Sequence, residues 1–174
     1  PGFTFQVMAC RPRSRGSVHV ASADPLAPPV IKCNYLAASE DRESLLQGLR
    51  LARRLAASGA LGAVHRREVH PGVAVTSDAQ LDAYIRETLH SGNGMSGGCC
   101  LNRVVDRQLR VRGVDGLHVC DASVMPRIVG AQLALPTLMI AERGASFVTR
   151  DCEERLERLA HAARGRAAGM APSG

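Results

Sequence analysis

The order of periodic segments along these 174 residues predicts an α+β fold. Three observations carry that expectation. Short alternating stretches near the N-terminus read as strands, two longer stretches carry apolar residues at helical spacing, and a proline opens a last helix near the C-terminus. The hydrophobic content of 45% and charged content of 22% fit a soluble globular chain with a modest single core. Aromatic residues reach only 3%, so Leu, Val, Ile and Ala must build that core.

Phe3 to Cys10 is the first strand candidate and Gly16 to Ser22 the second, with Val18 and Val20 on one face. The prolines of Pro25-Leu26-Ala27-Pro28-Pro29 impose an extended connector, after which Val30 and Ile31 begin another short strand. A helix follows with Ser39 as N-cap and Glu40 and Asp41 in the first turn, where carboxylates suit the helix dipole. Leu45, Leu46, Leu49, Ala52, Leu55 and Ala56 make its apolar face, and Gly59 ends it. Residues 61–75 read as strand-like around Val64, Val69 and Val73, broken at Pro71-Gly72. Ser77 to Gln80 spells a capping box for a second helix that buries Leu81, Tyr84, Ile85 and Leu89. Leu117, Val119 and Cys120 form a last short strand. Asp121-Ala122-Ser123 follows at its carboxyl end, where open α/β sheets place ligands. Pro136 then opens a helix whose buried face is Leu138, Met139, Ile140 and Ala141.

The stretch from Gly113 to Ala145 resembles the C-terminal signature of the glucose–methanol–choline (GMC) flavin oxidoreductases, with its V-D-A-S-x-M-P strand end and P-T-x-M-I-A-E helix. Arg11-Pro12-Arg13-Ser14-Arg15-Gly16-Ser17, Ser22-Ala23-Asp24-Pro25 and Asn34-Tyr35-Leu36 are similar to the opening of that family's substrate-binding region. The resemblance implies a mainly antiparallel sheet covered by helices on one side, plus a C-terminal strand–loop–helix that would complete an FAD-binding domain. It divides the chain into a substrate-binding region over 1–112, a flavin-site segment over 113–150 and a charged, partly disordered tail over 151–174.

The resemblance also assigns roles. His90 stands where the family keeps a histidine that takes the alcohol proton as hydride moves from carbon to flavin N5, and an imidazole is a suitable proton partner near neutral pH. At the end of a helix the same histidine could simply hydrogen-bond the last carbonyls. Gln132 occupies the place of the family's second active-site residue, usually His or Asn. Its amide can orient a substrate oxygen but is not a base. The loop after His90, Ser91 to Cys99, departs from the family pattern. Asp121, Ala122, Pro136 and Thr137 match the positions that line the flavin, although Asp121 alone would also cap the turn that follows it.

The run Gly92-Asn93-Gly94-Met95-Ser96-Gly97 spells G-x-G-x-x-G, but a dinucleotide fingerprint needs a strand before the glycines and a helix after them. Here a helix precedes and no helical pattern follows. The family binds FAD mostly through an N-terminal half that these residues do not contain. The chain therefore reads as the C-terminal portion of an FAD-dependent alcohol oxidoreductase, partnered by that missing FAD-binding half and acting on a small-molecule alcohol. The rival reading is a truncated, non-catalytic remnant unable to bind FAD alone.

Composition excludes other classes. The net charge of +6 is almost wholly arginine, and no aromatic stacking platform or recognition module accompanies it, so nucleic acid is not the expected partner. No apolar run is long enough to span a membrane. The six cysteines match no zinc spacing, so no metal is expected and the thiols point to a reducing, cytoplasmic setting.

Overall fold

The computed structural model describes residues 2–169. Its elements, in order, are β1 (Ser17–His19), β2 (Val30–Lys32), α1 (Ser39–Ala56), α2 (Gly59–Val64), α3 (Asp78–Thr88), a 3-10 turn (Ala122–Val124) and α4 (Ala134–Gly169). This is an α+β fold with an antiparallel sheet. The sheet is β1 paired with β2, with Val18 opposite Ile31. The chain falls into two compact units: one runs through Asn93 and adds Val129–Ala131, the other holds Gly94–Ile128 and the chain from Gln132 onward.

In the first unit α1 packs on α3, and Leu45, Leu46, Leu81 and Ile85 form the buried core. The capping box closes as its spelling requires: the Ser77 hydroxyl accepts from the Gln80 N–H while the Gln80 side chain accepts from the Ser77 N–H. Helix α1 starts one residue earlier than expected, with Ala38 as its uncapped N-cap and Ser39 inside. It ends at Ala56, and Gly59 (φ 53°) opens α2 instead of closing α1.

Two expected strands are absent here. Phe3 to Cys10 has no ladder partner, yet Val7 and Ala9 reach the core. Gly48 makes that possible, because a Cβ there would lie 2.4 Å from Val7 Cγ1. Residues 61–75 form the end of α2 and a series of turns. With no neighbouring strand to pair, their polar groups turn to a side chain: Arg53 bonds Glu68 through Nε (3.0 Å) and the Val75 carbonyl through Nη2 (2.8 Å).

The second unit is built from turns and isolated bridges that hold Val105, Leu109 and Val124 against α4. Residues 117–120 contribute only the bridge from His118 to Arg110, not a strand. Gly113 and Gly116, both at positive φ, turn the chain before them and Asp121 caps the next turn after them, leaving too few residues for a ladder. Leu117 is exposed, and His118 is tucked in. Its Nε2 lies 3.1 Å from Asp151 of α4, which Arg110 also grips with two nitrogens. The Arg110 bonds hold the Asp151 carboxyl down to about 2, with His118 adding to the effect.

Helix α4 begins two residues before Pro136, which sits in the first turn where its missing N–H costs nothing. Its inner face is Ile140, Gly144 and Phe147, spaced by four and three, with the buried Leu133 just ahead of the helix. Leu138 and Met139, expected inside, are 65% and 68% exposed. Four consecutive residues sweep most of a helix circumference, so 138–141 cannot share one face. The helix continues without a break through Gly169, and residues 170–174 of the tail lie outside the described residues.

The closest backbone approach in this unit is at Gly144, where a Cβ would stand 2.4 Å from Cys120 Sγ and 2.7 Å from its Cβ. Gly144→Ala should lower unfolding free energy by about 1–3 kcal/mol despite Ala's better helix propensity. Urea denaturation should show Cys120→Ala recovering part of that loss; an Ala variant at least as stable as the parent would remove this contact from the account.

Candidate functional site

His90 follows the end of α3, where Leu89 turns extended and gives its N–H to the Ile85 carbonyl. The ring is exposed, and Nδ1 lies 2.9 Å from the Ser91 carbonyl. A carbonyl can only accept, so Nδ1 carries the hydrogen and the neutral ring presents the lone pair of Nε2. The loop beyond is irregular. Asn93 sits at φ 56° with its N–H on the Ser91 hydroxyl, and Gly97 sits at φ 88°. Helix α3 precedes this loop and turns follow it, so the G-x-G-x-x-G run makes no phosphate cradle.

The end of the loop is tied to the segment expected to face the flavin. Cys99 N–H donates to the Ser123 carbonyl (3.0 Å) and Leu101 N–H to the Val124 carbonyl (2.9 Å). Asp121 caps the 3-10 turn by accepting from the Ser123 N–H at 2.8 Å and from its hydroxyl. Ala122 is half-buried in the same turn, which packs on α4 through Val124 and Ile140. On α4, Pro136 and Thr137 are half-buried in the first turn, and Thr137 N–H reaches the Leu133 carbonyl at 2.9 Å. Gln132 is exposed just ahead of the helix. Asp121, Ala122, Gln132, Pro136 and Thr137 thus share the second unit, while His90 belongs to the first.

One structural residue escaped the sequence reading. Asp41, read there as a dipole-favouring first-turn acid, is buried at 6% exposure and holds the Arg11–Gly16 segment. Its two oxygens accept from the N–H groups of Arg13 (2.7 Å) and Ser14 (2.8 Å), while the Ser14 hydroxyl accepts from Ala38 N–H (3.0 Å). Burial opposes the charge on Asp41, but hydrogen bonds from the Ser14 side chain and the two backbone N–H groups outweigh it and hold the carboxyl below its ordinary range. The signal was present only as an acid 27 residues from a serine, a separation no local pattern reads. Among the described residues no cluster of His, Cys, Asp and Glu could hold a metal ion, and no helix is long and apolar enough to cross a membrane.

These features can be set beside known proteins. The family model of the GMC oxidoreductases matches residues 12–141. The chain is 39% identical over 154 residues to the chloroplastic fatty acid photodecarboxylase of Chlamydomonas reinhardtii, covering 84% of this chain and 25% of that one. It is 41% identical over 151 residues to the oxygen-dependent choline dehydrogenase of Pseudomonas syringae pv. tomato, covering 84% and 27%. Pyridoxine 4-oxidase from Mesorbium loti superposes with a TM-score of 0.71 at 30% identity, over 81% of this chain and 28% of that one. An FAD-dependent oxidoreductase from Chaetomium thermophilum superposes at 0.75; at 24% identity, over 83% and 26%, it speaks for the fold alone.

The chain belongs to the GMC oxidoreductase family, and it spans about a quarter of the length of the curated relatives it matches.

Because the folded-state pKa of Asp41 is depressed, its stabilisation is complete above the ordinary carboxylate range and drains away as pH falls through the folded value. Asp41→Asn should cost about 1–3 kcal/mol at pH 7 for the weakened charged hydrogen bonds. Thermal melts from pH 6 down to 3 should fall less steeply for this variant than for the parent; parallel curves would mean that Asp41 does not carry the linkage.

Proposed function

We propose that this chain supplies the substrate side of an FAD-dependent alcohol oxidoreductase, with His90 as proton acceptor and Gln132 as the orienting amide. The observation that carries this reading is the contact of His90 Nδ1 with the Ser91 carbonyl at 2.9 Å, which leaves Nε2 of the exposed ring for the substrate. When bound, FAD supplies the acceptor for the hydride leaving the alcohol carbon. Everything else falls to side chains of this chain. Nε2 of His90 takes the hydroxyl proton, and the Gln132 amide donates to the substrate oxygen without titrating. The turn capped by Asp121, with Ala122, and the first turn of α4 at Pro136 and Thr137 would border the flavin ring, where a helix N-terminus favours an electron-rich carbonyl.

The nucleotide part of FAD finds no cradle among the described residues, because the glycine run lacks the strand and helix that one requires. We assign that part to the segment that the relatives carry outside the matched quarter. The isolated chain should accordingly purify without stoichiometric flavin and turn nothing over by itself. Visible flavin absorbance at one equivalent would contradict this. The six free thiols suit a reducing, cytoplasmic compartment.

A second reading has its own support: the 39% identical relative is named as a photodecarboxylase of fatty acids. Joined to its nucleotide-binding segment, the enzyme decides between them by dark oxidation of an alcohol or light-dependent loss of CO2 from a fatty acid.

For alcohol oxidation, His90→Ala should lower kcat/KM by roughly 10²–10⁴-fold with flavin content unchanged. Gln132→Ala should cost about 1–3 kcal/mol of transition-state stabilisation, more than Gln132→Asn, and leave a single ionisation in the pH profile. Near-normal turnover in the His90 variant would reduce that residue to a helix-end hydrogen bond.

A further inference from the structure

We infer that Asp151 is a positioning residue for the turn capped by Asp121, holding that turn in register along α4 through His118 and Arg110. The inference rests on the reading that this turn borders the flavin. It starts from the isolated antiparallel bridge that pairs Arg110 with His118. Residues opposite each other in such a bridge send their side chains to the same face. One carboxylate can therefore take both. Asp151 Oδ2 accepts from Arg110 Nε and from His118 Nε2 at 3.1 Å, while Oδ1 accepts from Arg110 Nη2. The His118 side chain is 9% exposed and that of Asp151 20%, so water competes little for these bonds.

Helix α4 carries a second contact on the same side. Ile140, Gly144, Phe147 and Asp151 follow at intervals of four, three and four, which keeps them on one face. Cys120 meets this face at Gly144, where only a missing Cβ makes room for its sulfur. His118, two residues earlier in the chain, meets it at Asp151, two turns further along the helix. One contact would let the segment pivot on α4, whereas two fix both its height and its direction. Asp121 follows Cys120 directly, and its turn passes the register on to the loop through the Cys99 and Leu101 N–H groups. The clasp thus decides how the turn stands relative to Pro136 and Thr137 at the start of the same helix. Arg110 and His118 lie within the residues that the family model matches, 12–141, and Asp151 lies beyond them. The acceptor comes from outside the matched pattern.

Hydrogen exchange on this chain reads the register, because the Cys99 and Leu101 amides are bonded to the turn and not to the clasp. Asp151→Asn keeps the shape and loses the charge. It should speed exchange of both amides by about tenfold or more, with Gly144 and Phe147 in α4 unchanged. His118→Ala should do the same, and His118→Gln, whose amide still offers a donor, should restore the parent rate. Parent-like exchange in both Asp151→Asn and His118→Ala would overturn the inference. Equal acceleration at Cys99, Leu101, Gly144 and Phe147 would overturn it too, making the clasp a general support of the unit. Once the chain is joined to a nucleotide-binding segment, Asp151→Asn should also shift the absorption maxima of the bound flavin. Faster exchange with an unmoved flavin spectrum would sink the flavin-side reading of the turn and leave its register standing.

Discussion

The constraint on which everything else depends is that this chain cannot bury its own apolar surface. A single folded domain of 18.5 kDa exposes about 8,200 Å², and two separate domains of half that mass would expose about 9,900 Å². This chain exposes 13231 Å². The excess is not polar decoration. Leu135, Leu138 and Met139 at the start of α4 are each at least 65% exposed, and Val18, Ile31 and Val30 line a two-stranded sheet too small to stand alone. A natural sequence seldom keeps so much apolar surface in water.

The same constraint explains how the candidate site is built. Its fixed parts are held by polar devices, not by a deep core: Asp121 capping its own turn, Cys99 and Leu101 tied to Ser123 and Val124, and Asp41 gripping the arginine-rich segment. Such devices preserve local geometry with little burial. They leave the candidate residues His90 and Gln132 exposed.

Legibility in the sequence followed the range of the interaction. The α3 capping box was readable because it spans three residues, and the α1 core face because its leucines repeat at helical spacing. The strand at Phe3–Cys10 failed because alternation records which side chains can be buried, not whether a partner strand exists. Residues 61–75 failed for the same reason, with Arg53 satisfying groups that a ladder would have used. The inward turn of His118 toward Asp151 was invisible, since 33 residues separate the pair. At the candidate site, family motifs pointed to positions, whereas the tautomer of His90 and the cap at Asp121 required coordinates.

The proposed flavin-side role of α4 requires that a nucleotide-binding segment cover the apolar face that opens it. Hydrogen exchange tests it most directly, comparing the isolated chain with a fusion to the nucleotide-binding three-quarters of the choline dehydrogenase relative. The account predicts that the amides of Leu135, of residues 137–140 and of β1 and β2 exchange readily in the isolated chain. In the fusion they should be slowed by at least about tenfold as the exposed face is covered. Equal exchange rates in a folded, flavin-containing fusion would contradict it.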